Sequence, residues 1–266
     1  MARWYWNSTG LAETANGGRF AVEGLYDDST PSLSHTDPRL LMRVGRPWTQ
    51  KWPDVRHVAL GVVVYAGTAA EAEERLLTLR GLVGVGSRGT LRHEFFSGRA
   101  LEMQAECTKF DPATLAPYTY RVALEFRSVD EPFFRDVSAI TTTATITATQ
   151  SPYQVDFTHE NPGLEDRGMV IRFHGPATNP LMWNLTADPD AGLWVGYHGT
   201  IADGDYVEYD VRRFTAKWKN GGAVAPDEIV HSGDRYWFVL MQGTNSLRFG
   251  ADDSGGMVEL IQNPPY

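Results

Sequence analysis

The pattern that comes nearest to a cofactor site is Gly84-Val-Gly86-Ser-Arg-Gly89, spaced as G-x-G-x-x-G. That spacing holds a pyrophosphate only where it follows a strand and opens a helix, so that the phosphate meets the helix N-terminus. Here it follows a helical pattern and precedes the strand-like stretch 91–96, so it reads as a helix end running into a loop. The seven histidines (His35, His57, His93, His159, His174, His198 and His231) include no pair four residues apart. His93-Glu94 does not extend to H-E-x-x-H, so no zinc helix is expected. His231-Ser232-Gly-Asp234 gathers three triad residue types, but it reads as a hairpin turn, and no G-x-S-x-G elbow accompanies it. The acidic pairs Asp188/Asp190, Asp203/Asp205 and Asp252/Asp253 offer oxygen ligands without the D-x-[DN]-x-[DN]-G spacing of a calcium loop. They read as solvated turn residues. With 16 acids in residues 151–266, chance carboxylate pairs are inevitable, and a glycosidase reading gains nothing from them. No catalytic residue, metal ligand or cofactor is therefore expected.

Aromatic side chains are the remaining chemistry. Trp183, Trp194, Tyr197, Trp218 and Trp237 fall in the second half, and aromatic faces exposed at a sheet rim stack on sugar rings. Trp237 lies in Tyr-Trp-Phe-Val-Leu and reads as core. Trp194 and Tyr197, close to turns, are the carbohydrate-contact candidates, with packing in the core as the competing reading.

The elements that must position these residues are mostly strands. Thr119 to Arg127 alternates, with Tyr120, Val122, Leu124 and Phe126 on one face. Leu101 to Thr108 alternates too and places Cys107 among apolar neighbours, as a small core residue. A lone cysteine excludes an internal disulfide and a thiolate zinc site. Val58 to Tyr65 is an unbroken apolar run suited to a strand covered on both faces. Thr141 to Thr149 is β-branched and uncharged, and reads as a strand or extended connector. One helix is expected, over about 69–83: Thr68 and Glu71 form a capping-box pair, and Ala72, Leu76, Leu79 and Val83 share a face.

Turn clusters at Gln150-Ser-Pro, Glu160-Asn-Pro-Gly163 and Asp166-Arg-Gly168 place a domain boundary near 150, giving domains 1–150 and 151–266. Beyond it, strands are expected at Met169–His174, Leu181–Thr186, Leu193–Tyr197, Tyr206–Val211, Arg213–Trp218, Tyr236–Met241, Ser246–Phe249 and Met257–Ile261. Short strands separated by turn-rich segments are the pattern of an antiparallel β-sandwich.

The chain has 266 residues and a net charge of −9, of which 42% are hydrophobic. That composition is globular. Residues 1–150 hold 16 Lys and Arg against 17 Asp and Glu, whereas residues 151–266 hold 8 against 16. So acidic a second half argues against nucleic acid or anionic membrane as the main partner. No run is long enough to span a bilayer, and the start, Met-Ala-Arg-Trp-Tyr-Trp, has no apolar signal region, so a soluble protein is expected.

The order of elements resembles the distal tail proteins of long-tailed, siphovirus-type bacteriophages, also called minor tail proteins in phages of actinobacteria. In the first domain the resemblance rests on the strand 58–65, the capped helix, strands around Phe95-Phe96 and 101–108, and the run Tyr120-Arg-Val-Ala-Leu-Glu-Phe-Arg-Ser-Val-Asp-Glu-Pro-Phe-Phe134. In the second it rests on Phe173-His-Gly175, Thr178-Asn-Pro180, Ile201-Ala-Asp-Gly-Asp205 and the run from Tyr236 to Ser246, where an aromatic strand leads into L-x-x-G-x-N. The resemblance covers most of residues 20–262. Residues 1–50 match poorly; with Trp4 and Trp6, and Trp48 and Trp52 close by, they suggest an N-terminal arm that packs on a neighbouring subunit.

The resemblance implies a mainly β protein with an N-terminal β-barrel-like (split-barrel) domain carrying one helix and a C-terminal galectin-like antiparallel β-sandwich. It implies a six-membered ring at the virion tail tip, assembled in the host cytoplasm, with no catalysis. The implied partners are further copies of the chain, the tail tube protein, the tail-tip hub or tail-associated protein, and the tape measure protein. Thr141–Thr149 would then be an edge buried within the ring. Two other readings stand beside this one: a carbohydrate- or receptor-binding module, with a host cell-surface glycan as partner, and a β-rich hydrolase.

Overall fold

The computed structural model describes residues 3–11, 20–28, 33–34, 52–53, 55–95, 97–129, 133–147, 151–164, 166, 168–187, 193–232 and 238–266. They form two compact units, residues 1–137 and 138–266. The division falls before the expected one because the threonine-rich segment enters the second unit: residues 140–145 pair with the last strand of the chain.

The first unit contains β1 (Arg3–Trp6), β2 (Thr9–Gly10), β3 (Phe20–Asp28), β4 (Leu33–Ser34) and β5 (Trp52–Pro53). There follow β6 (His57–Tyr65), helix α1 (Ala69–Leu82), β7 (Arg88–Glu94), β8 (Ala100–Ala116), β9 (Thr119–Ser128) and β10 (Arg135–Asp136). The main sheet runs β2-β1-β7-β8-β9-β6-β3, with β10 beside β8, and among the described residues it does not close on itself. Its centre is the β6–β9 ladder, in which Val58 faces Phe126, Leu60 faces Leu124 and Val62 faces Val122. All six are buried, as are Leu91, Met103 and Cys107, because period-two alternation delivers them to one face. Burial pushes the Cys107 thiol up.

Trp4 and Trp6 are buried in this same core, Trp6 with its ring 5.0 Å from that of Phe126. They therefore do not belong to an arm reaching for a neighbour: β1 pairs in register with β7. Trp48 lies outside the described residues. The helix begins where its cap requires. Thr68 Oγ1 accepts from the Glu71 amide, while the Glu71 carboxylate reaches back to the Gly67 amide, closing two otherwise orphaned donors. After the helix, Gly86 takes a positive φ of 85° and its amide bonds to the Cys107 carbonyl, so the glycine-rich stretch is a tight link from helix to β7.

The second unit contains β11 (Ile140–Thr145), β12 (Gln154–Asn161), β13 (Val170–His174), β14 (Ala177–Thr178), β15 (Leu181–Asn184) and β16 (Leu193–Tyr197). It continues with β17 (Thr200–Ile201), β18 (Tyr206–Asp210), β19 (Thr215–Trp218), β20 (Ile229–His231), β21 (Gly243–Gly250) and β22 (Met257–Gln262). Two five-stranded sheets result, β11-β22-β13-β18-β19 and β12-β21-β15-β16-β20. Phe173, Tyr209, Met182, Val195, Leu247, Phe249 and Leu260 fill one shared core, which makes the unit an antiparallel sandwich.

Two departures have physical causes. Gln154–Asn161 is a full strand, although its only large apolar side chains are Val155 and Phe157; its remaining inward positions are the buried polar residues His159 and Asn161. Conversely, the expected strand 236–241 is not one over its described part. Phe238, Val239 and Leu240 are buried, but apart from a two-bond bridge between Leu240 and Asp166 their backbone is irregular. Residues 236 and 237 lie outside the described residues.

Phe126 joins three strands and the Trp6 ring, so Phe126→Ala is expected to cost about 3–5 kcal/mol of unfolding free energy. Urea unfolding followed by circular dichroism measures it, and a loss below about 1 kcal/mol would contradict this placement of the core.

Candidate functional site

The sandwich brings the sequence candidates together unevenly. Met182, Val195, Leu247 and Phe249 face the core, so their neighbours Trp183, Trp194 and Arg248 face outward on the same sheet. Val155 and Phe157 likewise pack inward and leave Asp156 outside. Register then aligns four side chains across four strands: Asp156 opposite Arg248, Arg248 opposite Trp183, and Trp183 opposite Trp194. Arg248 grips Asp156 with two bonds, Nε to Oδ1 at 2.6 Å and Nη2 to Oδ2 at 3.0 Å. The hydrogen bonds from Arg248 hold the Asp156 carboxyl below its usual range. Trp183 lies over Gly250, where a Cβ would come 3.2 Å from Cζ3 of the indole. The Ser232 hydroxyl accepts from the Trp194 amide at 2.9 Å and so fixes the backbone at the end of the row.

Trp194 is half-buried and outward. Tyr197 is 3% exposed and turned inward, its ring edge-on to Trp218 at 5.4 Å. Its hydroxyl donates to Glu228 at 3.5 Å, and burial pushes its pKa up. Trp183 stood among the aromatic residues of the second half without being chosen as a contact candidate, and Asp156 and Arg248 were not singled out at all. The signal that could have found the three is the outward phase of three alternating strands, which depends on knowing which strands are neighbours. Trp237 and Asp234 lie outside the described residues.

The other candidates are occupied locally. Asp253 receives both the amide and the hydroxyl of Thr178, and Asp252 receives Asn179 Nδ2 at 2.7 Å, so this pair fastens the β21–β22 loop to β14. Asp205 accepts from the Tyr206 amide in its own turn. Asp188 and Asp190 lie outside the described residues. Among the described residues, no three His, Cys, Asp or Glu side chains converge on a metal position, and no helix is long and apolar enough to cross a membrane.

A buried chain of polar groups crosses the interior instead. Thr142 Oγ1 meets His159 Nδ1 at 2.8 Å, His159 Nε2 meets Gln262 Oε1 at 2.8 Å, and Gln262 Nε2 donates to Asp166 Oδ2 at 2.9 Å. The Asp166 carboxylate can only accept, which fixes the Gln262 amide, and Gln262 Oε1 in turn requires the Nε2–H tautomer of His159. Thr142 then donates to Nδ1. Burial lowers the His159 pKa and keeps the imidazole neutral.

No protein-family model matches the sequence, and no curated protein matches it. The fold does have solved counterparts. It superposes on the Dit protein of phage SPP1, a paradigm of the hub of the adsorption apparatus in phages that infect Gram-positive bacteria, with a TM-score of 0.70 over 98% of each chain at 14% identity. The chain has the Dit fold. A chain of the phage P2 baseplate in its activated conformation with Ca also matches, at a TM-score of 0.45, 9% identity and coverage of 99% and 98%. The match spans both units, and in the second of them the L-x-x-G-x-N run forms a turn held by its own side chain. There Gly243 has a φ of +89°, and Asn245 accepts from the Met241 amide and donates to the Met241 and Gly243 carbonyls.

The His159 relay sets a pH dependence. The unfolded chain binds a proton at His159 near pH 6.5, whereas the folded site stays neutral to lower pH, so stability falls as pH drops through that range. Relative to His159→Gln, the wild type is expected to lose stability between pH 7.5 and 5.5 in urea titrations. An advantage of the wild type that is independent of pH would contradict the buried neutral imidazole.

Proposed function

We propose that the chain is a structural subunit of a phage tail tip that forms a closed ring and joins the tail tube to the distal host-attachment apparatus. The observation that carries this reading is the correspondence with the SPP1 Dit fold through both units. The role is that of a scaffold, not an enzyme, with further copies of the chain, the tail tube protein, the tail-tip hub and the tape measure protein as partners. Its place is the virion tail tip, after assembly in the host cytoplasm.

The first unit has the surfaces that a ring would cover. β7 pairs with β8 only as far as Glu106, and beyond it the β8 arm of the β8–β9 hairpin is exposed over residues 111–116, with Leu115 and Tyr118 exposed at the tip. On the helix side, Leu77 and Val85 are exposed. Exposed apolar groups and open strand edges invite pairing, and a head-to-tail ring turns that liability into assembly. The charge division supports the same reading: all 24 cations and 33 anions lie outside 138–150, so the first unit is nearly neutral and the second carries the excess of acid. A nearly neutral unit packs against copies of itself without strong repulsion, while an acidic one stays solvated.

A second reading, that the sandwich binds a host cell-surface carbohydrate, is favoured by the outward, half-buried Trp194, with Tyr197 supporting the strand from within. The two readings are compatible.

Light scattering on the purified chain tests the first reading. Six copies of 29.6 kDa give a closed ring of about 178 kDa. That mass at micromolar concentration is expected, and a reduced mass in Leu77→Glu or Leu115→Glu would place the contacts. A monomer that stays monomeric when purified tail tubes are added would overturn the reading.

A further inference from the structure

The geometry points to the outer row Asp156–Arg248–Trp183–Trp194 as a binding site for a neutral pyranose-based glycan, a specification that rests on the carbohydrate reading of the second unit. Neighbouring strands are about 4.8 Å apart, so three steps make a line of about 14 Å, long enough for more than one sugar ring. The two ends of that line differ in the way a pyranose requires. At one end are two adjacent indoles, half-buried and outward, whose apolar faces suit the C–H face of a sugar. At the other is a planar carboxylate–guanidinium pair, Arg248 bonded through Nε and Nη2 to both oxygens of Asp156. The Asp156 side chain is 61% exposed and that of Arg248 is 35% exposed. The pair is preorganised, its remaining carboxylate lone pairs and the free edge of the guanidinium lie side by side, and vicinal hydroxyls can donate to one and accept from the other.

Charge selects the class of glycan. The row's two charges cancel, and the outward residues beside it (Gln154, Thr158, Ser246, Leu181 and Val230) are uncharged. The unit around it carries 8 Lys and Arg against 16 Asp and Glu, a field that repels phosphate-bearing or uronic polymers and leaves neutral saccharides unaffected. The row is also held in place from below. Gly250 leaves the space that Trp183 fills, so that indole loses little side-chain freedom on binding, and Ser232 fixes the backbone that carries Trp194.

Saturation-transfer NMR and isothermal calorimetry on the full chain test this with lactose, maltose, cellobiose and N,N′-diacetylchitobiose as neutral probes, and heparin and polyphosphate as anionic ones. The wild type is expected to bind at least one neutral disaccharide. Trp194→Ala and Asp156→Asn should each weaken that binding about tenfold, which corresponds to roughly 1.4 kcal/mol. Asp156 is exposed, so its variant keeps the core, and Tyr197→Phe should bind as the wild type does. Undiminished binding in both Trp194→Ala and Asp156→Asn would overturn the row while leaving the carbohydrate reading standing. Binding of the anionic probes alone would overturn the neutral class, and binding of no probe would overturn both the row and the reading it rests on.

Discussion

The second unit depends on one constraint: six polar side chains are sealed between its sheets, and each must find its partners there. His159, Asn161, Asp166, Asn184, Asn245 and Gln262 are all at most 1% exposed. A buried polar group left unpaired costs about 1–3 kcal/mol, so the set acts as a registration device more than as a source of net stability. Asn184 donates to the Val239 carbonyl and to Asn245 Oδ1, Asn161 donates to the Leu164 and Met241 carbonyls, and Asp166 bridges Leu240 through the main chain. These bonds hold 238–242 against the core without a strand ladder. The Thr142–His159–Gln262–Asp166 relay ties the edge strand β11, which opens the unit, to β12 and β22 by the same logic. A slip of one residue in any of these strands would turn its polar group outward and leave its partner unsatisfied.

That constraint also explains what could be read from the sequence. Local signals survived: the T-x-x-E cap started the helix, and the alternation of 119–127 gave β9 to within one residue. Leu193–Tyr197 formed at its expected bounds because a short apolar run has few alternatives. What failed was partner-dependent. Gln154–Asn161 carries too little apolar periodicity to announce itself, since its inward side chains are chosen for hydrogen bonds across the sandwich. Tyr236–Met241 carries the apolar content of a strand, yet at Met241 and Gly243 the backbone groups are taken by Asn245. Trp4 and Trp6 looked like an arm because nothing local shows that β1 lies beside β7, 85 and more residues downstream.

The candidate site was legible only in part, for the same reason. Trp194 was marked by its position near a turn, and Tyr197 had the same credential but the opposite phase. Their separation is three residues, so alternation sends one outward and the other into the core. The Asp156–Arg248 pair spans 92 residues of sequence, and only the β12–β21 register brings it together. The surfaces to which the proposed functions are assigned are likewise assembled from distant strands: open edges in the first unit and an ordered outer row in the second.

Ring closure is the claim on which the functional account turns, and electron cryomicroscopy of the assembled protein tests it most directly. The account predicts class averages of a closed six-fold ring with a central hole, built through contacts of the first unit. Single particles of one subunit, or open chains that do not close, in preparations that contain tail tubes would contradict it.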